Sequence, residues 1–241
     1  MLLGLGTWQL QRLYWKEGLL ADIAERTTSA PASLHDVEQR FAATHDVDYW
    51  PVEARGTFLH AGEQHYFATH DGKSGFFLYT PLQLGDGRFL FVNRGFVPQQ
   101  YQEAAAIGDL HGEDPGMVTI TGLFREPEAA GMMTPEANMS DRIEWVRDPA
   151  RMALMADPNL APIAPFYVDL PATMPGELPQ GGETVITFPN NHFGYALTWY
   201  GFSIVAVVML GFWLWRQRRP LANYARRSLR LSRALTRLRQ F

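Results

Sequence analysis

The chain has 241 residues, 46% hydrophobic and 19% charged, which supplies a packed domain and excludes a disordered tail. Its net charge of -4 hides an asymmetry: all 25 acidic residues precede Arg216, and nine arginines with no acid follow from that point on. The lack of cysteine excludes a disulfide framework, thiolate zinc sites and cysteine-ligated iron–sulfur clusters, and leaves compartment to be read from topology.

The first eight residues, MLLGLGTW, are apolar but too short to cross a bilayer, and they lack the basic start and cleavage site of a signal peptide. They read as residues 1–12 of a truncated first transmembrane helix, with Trp8 at the interface and Gln9, Arg12 and Lys16 emerging into water. An amphipathic continuation over 10–26 leads to a Ser/Thr/Pro loop at 27–33, and Ser33 is placed to cap a helix over 34–44.

From residue 51 the hydrophobic period changes from helical to strand-like. Segments 51–60, 64–70, 75–84, 88–97, 117–124 and 166–170 are rich in Phe, Tyr, Val, Ile and Thr and are separated by Gly, Asp, Asn and Pro. Residues 118–121 alternate apolar and polar, whereas 89–92 are continuously apolar and mark a central strand. Gly85-Asp86-Gly87 makes a hairpin turn, and a short helix is expected over 149–156. The fold class expected is α+β: a mostly antiparallel β-rich domain over 13–189, a partly closed barrel-like sheet with small helices, flanked by two transmembrane helices.

The second of these helices covers 190–217. Residues 192–215 carry no charged side chain, and at about 1.5 Å per residue they exceed the roughly 30 Å of a bilayer core. Tyr195, Trp199 and Tyr200 near one end and Trp213 and Trp215 near the other suit the two interfaces. Arg216, Arg218 and Arg219 follow at once, with Pro220 expected to close the helix, so the preceding domain faces away from the cytoplasm. The tail over 218–241 places Arg226, Arg230, Arg233 and Arg237 on one helical face, a basic amphipathic segment suited to an anionic lipid surface, with nucleic acid as the alternative.

Catalytic templates fail. Gly72-Lys73-Ser74 looks like the end of a phosphate loop, but Phe67 stands where its first glycine is needed, and neither a G-x-S-x-G elbow nor an H-E-x-x-H helix occurs. Histidines 60, 65 and 70 recur every five residues, which alternates faces along a strand, so they are expected at surface or hairpin positions rather than around a metal. Glu113 and Asp114 lie in a Gly/Pro loop and are read as solvated turn residues.

His192 stands apart, because an ionisable residue at a membrane-helix entrance is costly. Two readings stand: a polar cap for the helix, or, with Tyr195 and Trp199 on the same face, a neutral imidazole presented to a planar apolar cofactor such as haem. Trp8, Arg12 and Trp15 share a face at the same interface, where the guanidinium could pair with haem propionates or simply snorkel to the head groups.

The blocks Leu5-Gly6-Thr7-Trp8-Gln9-Leu10-Gln11-Arg12-Leu13, Thr80-Pro81-Leu82, Val92-Asn93-Arg94-Gly95-Phe96-Val97-Pro98, Gly122-Leu123-Phe124-Arg125-Glu126-Pro127, Tyr167-Val168-Asp169 and Pro189-Asn190-Asn191-His192 occur in that order. Together with Tyr195-Ala196-Leu197-Thr198-Trp199-Tyr200-Gly201 they resemble the Surfeit locus protein 1 family of cytochrome c oxidase assembly factors. Phe96 departs from the family's usual tryptophan, and most of the first transmembrane helix is missing. The resemblance implies a non-enzymatic chaperone that assists haem a insertion or retention in subunit I of the oxidase, with His192 as axial ligand and the haem a synthesis machinery as a further partner. It implies a multi-pass protein of the bacterial inner membrane with a periplasmic domain and no role for nucleic acid. A cofactor-free membrane scaffold and a membrane-anchored periplasmic enzyme are the rivals.

Overall fold

The computed structural model describes residues 1–101, 116–156, 160–182, 184 and 189–238, with side chains through Arg218. Its elements are α1 (Leu2–Thr27), β1 (Ala32–Ser33), α2 (Leu34–Thr44), β2 (Pro51–Phe58), β3 (Gln64–His70), β4 (Lys73–Leu84), β5 (Phe89–Pro98), β6 (Met117–Arg125), β7 (Ile143–Glu144), α3 (Pro149–Met155), β8 (Ile163–Asp169) and α4 (His192–Leu238). They fall into two compact units, one of Met1–Leu20 with Phe188–Phe241 and one of Ala21–Thr187.

In the second unit the strands form one sheet ordered β1-β2-β6-β8-β5-β4-β3-β7, and an additional β2–β4 pairing joins its interior strands into a ring of five. The sheet is mixed, with antiparallel pairs in the majority as expected: β1–β2, β3–β7 and β5–β8 run parallel and the other five described pairs antiparallel. Closure needs β2 to leave β6 and meet β4, and it does so at Gly56, which pairs with both Val118 and Leu84. A Cβ at Gly56 would fall on the backbone oxygen of Gln83, so only glycine permits that approach.

The ring encloses a core contributed by every strand: Val52, Ala54, Leu82, Leu84, Leu90, Val92, Ile120, Phe124, Phe166 and Val168, with Val37 of α2 packed against them. Ser33 caps α2 by accepting from the Asp36 N–H. On the outer face Phe77, Tyr79, Phe91 and Tyr167 pack beneath Met152 of α3. Residues 89–92 are continuously apolar because both faces of β5 are covered, whereas β6 follows the expected inside–outside alternation over 118–121.

The turn at 85–87 joins β4 to β5, with the Leu84 N–H donating to the Arg88 carbonyl. Gly72-Lys73-Ser74 belongs to the β3–β4 hairpin, where Asp71 and Gly72 both take positive φ, as a two-residue hairpin turn requires. The expectation of exposed histidines fails at His65. It is buried on β3, 3.8 Å from the Glu63 carboxylate, because the short β7 covers that edge of the sheet. No group of three or more His, Asp or Glu side chains suited to a metal occurs among the described residues. Glu113 and Asp114 lie outside them.

In the first unit, α4 is the one helix among the described residues that is long and apolar enough to cross a membrane, with mean hydropathy 1.8 over its most apolar 18 residues, nearly all of them exposed. The expectation of two such helices is met by one, since α1 turns polar after Trp8. Pro220 does not close α4, whose backbone stays helical to Leu238. A helix passes a proline by giving up a single backbone hydrogen bond. The faces of the basic tail lie outside the described side chains.

Candidate functional site

Thr7 meets Tyr200, Gln9 meets His192 and the Lys16 ammonium donates to the Pro189 carbonyl, so rising numbers on α1 meet falling numbers on α4 and the two helices run antiparallel. The contact is built on small residues: Gly6, Ala196 and Ser203 are its buried positions. A Cβ on Gly6 would lie 2.8 Å from the Tyr200 ring. Small residues let helix backbones approach where lipid offers no hydrophobic drive to associate. The Ser203 hydroxyl is satisfied by the Trp199 carbonyl one turn back.

His192 is half-buried in this contact, and its Nδ1 lies 2.7 Å from Gln9 Oε1. A carbonyl oxygen can only accept, so Nδ1 donates, and in the neutral ring that leaves the lone pair on Nε2. Asn190, two residues earlier, buries an Oδ1 with no partner among the described residues.

Of the residues expected beside His192, Trp199 is half-buried and meets Phe202 edge-on at 6.2 Å, while Trp8 and Arg12 are exposed. The Arg12 guanidinium stacks on the Trp15 ring at 4.2 Å. The described contacts link neither Trp8 nor Arg12 to His192. By helical position Thr7 and Tyr200 mark one side of the helix pair and Arg12, Tyr195 and Phe202 the other, whereas Trp8 and Trp15 lie about 200° and 180° round α1 from the buried Gly6 and face away from α4. Arg12 lies one turn beyond Gln9, toward the polar end of α1.

The sequence reading missed Gln9. The available signal was its place in the turn that carries Trp8 and Arg12, a polar amide on an otherwise apolar helix face.

Asn93, Arg94 and Gly95 build structure in the β domain. Asn93 donates to Asp169 at 2.8 Å and accepts from the Gly95 N–H, tying the end of β5 to β8. Arg125 reaches Asp48 at 3.0 Å and Asp169 at 3.3 Å, and Thr184 donates to Asp169 at 2.7 Å.

Comparison with known proteins falls on these same segments. The SURF1 family profile matches residues 1–204. Surfeit locus protein 1 of Homo sapiens is 33% identical over 222 residues, covering 83% of this chain and 69% of that protein. The SURF1-like protein of Drosophila melanogaster is 31% identical over 220 residues, with the same coverage. That of Monosiga brevicollis is 31% identical over 230 residues, covering 90% of this chain and 83% of its own. The match takes in the α1–α4 contact as far as Ser203 and the whole closed ring of strands, and the chain therefore belongs to the SURF1 family.

Proposed function

We propose that this chain is an assembly factor for cytochrome c oxidase, holding haem a as cargo for subunit I and drawing on the haem a synthesis machinery for supply. The observation that carries the reading is the family match over residues 1–204, which includes every residue of the helix contact. The contact suits such a cargo in three ways. His192 offers one imidazole nitrogen while the other is occupied, the arrangement found for metal-ligating histidines. Tyr195 and Trp199 give an aromatic flank for a macrocycle. Arg12 supplies a cation at the polar end, where propionates would lie. The cargo brings its own iron chemistry, and the chain's part is to ligate, orient and shield it.

The same reading makes α4 the anchor in the inner membrane of a bacterium, with Arg216 and Arg218 cytoplasmic and the β domain periplasmic. Among the described residues of the β domain, no catalytic constellation argues for an enzyme in its place.

The test is to delete the gene in its native host and complement with wild type or His192→Ala. Wild type is expected to restore oxidase activity and the haem a absorbance of membranes, and the purified protein to carry a Soret band that His192→Ala lacks. Unchanged oxidase in the deletion strain would end the proposal. Full assembly by His192→Ala with no Soret band in either protein would replace it with a cofactor-free scaffold.

A further inference from the structure

In the contact between α1 and α4, Gln9 and His192 form a polar pair across an interface whose other buried positions are Gly6, Ala196 and Ser203. Polar side chains on helices beside lipid are costly, and a hydrogen bond between two of them recovers only about 1 kcal/mol. The pair therefore adds little as a clamp, and a helix contact could use either orientation of the amide: its NH2 facing an unprotonated Nδ1 would bridge the helices equally well. What distinguishes the observed orientation is that the carbonyl oxygen faces the ring.

We infer that Gln9 is a positioning residue for His192: it accepts the Nδ1 hydrogen, fixes the ring's tautomer and rotation, and so presents Nε2 as a lone pair to an iron-bearing macrocycle. The identity of that ligand rests on the haem reading above, whereas the tautomer does not. Because the acceptor is neutral, it orients the imidazole without drawing it toward imidazolate, which suits a ligand that must release its cargo.

Two measurements on the full chain in lipid nanodiscs test this. In the ligand-free protein, histidine nitrogen NMR, with His192 assigned by difference from His192→Ala, should show hydrogen on Nδ1 in wild type and Gln9→Glu, and chiefly on Nε2 in Gln9→Leu. Hydrogen on Nε2 in wild type, or no change in Gln9→Leu, overturns the inference. With ferric protoporphyrin as the probe, Gln9→Leu should bind about 10- to 100-fold more weakly than wild type. Gln9→Glu should keep binding with a lower reduction potential, because an anionic acceptor strengthens the imidazole as a donor. Should no protein bind the probe while the tautomers behave as expected, the haem reading fails and the role of Gln9 stands.

Discussion

Asp169 joins three side chains at its end of the barrel. It takes hydrogen bonds from Asn93 and Thr184 and an ion pair from Arg125, and it is 5% exposed. Asp169→Ala would leave the Arg125 guanidinium with Asp48 alone and the Asn93 amide unmatched. A loss of about 3 kcal/mol is expected, read as an earlier denaturant midpoint of the detergent-solubilised protein. Tyr79 presents the opposite case. It is fully buried, and its hydroxyl has no hydrogen-bond partner among the described residues, so Tyr79→Phe should change neutral-pH stability by less than about 1 kcal/mol. Burial, then the neighbouring Tyr167 and Asp169, push the Tyr79 phenol well above its ordinary value of 10.0. A phenol raised by folding contributes stability that is complete below its unfolded value and is lost as pH rises toward the folded one. The wild-type midpoint should therefore fall above about pH 10, and less steeply in Tyr79→Phe, with Tyr167, raised likewise by burial, accounting for the remainder.

Among the elements, α1 and α4 depend most on a single small residue. Gly6 lies against the Tyr200 ring, so a leucine there has to displace the ring or part the helices, and the His192–Gln9 distance opens with them. A cysteine-free chain makes this measurable: Gln9→Cys with His192→Cys should be joined by a short bis-thiol reagent in membranes, and Gly6→Leu, with Tyr200 in place, should abolish the linked peptide. Legibility in the sequence divides along the same line. Segments whose period reports one face, such as 64–70 or 118–121, can be read directly, and the cap at Ser33 fixes α2 to the residue. β8 was read three residues short because Pro165 suggests a break. The strand continues through it where the β5 register is irregular, so its missing N–H costs no ladder bond. Closure of the ring, burial of His65 and the Gln9–His192 pair are contacts between segments far apart in the chain, and local periodicity holds no record of them.

For the molecule as a whole, the charge asymmetry decides sidedness. Arg216 and Arg218 directly follow an apolar helix that is exposed from Ile204 onward, and from Arg216 on the chain carries no acid to offset its nine arginines. Moving an arginine through the bilayer centre costs at least about 2.5 kcal/mol by insertion scales, and clustered arginines add to that barrier, so the C-terminal end stays where it is made. On the topology proposed above, the β domain, which precedes the span, is delivered to the opposite side. Met139 and Gln217 are both exposed and lie on the two sides of the uncharged stretch 192–215 in sequence. A single cysteine at position 139 should react with a membrane-impermeant maleimide in intact cells whose outer membrane is permeabilised, and one at position 217 only after the inner membrane is opened. The reverse pattern would place the domain in the cytoplasm. His192 would then enter the bilayer from the cytoplasmic face, and the orientation assigned to the helix contact and its cargo would have to be inverted.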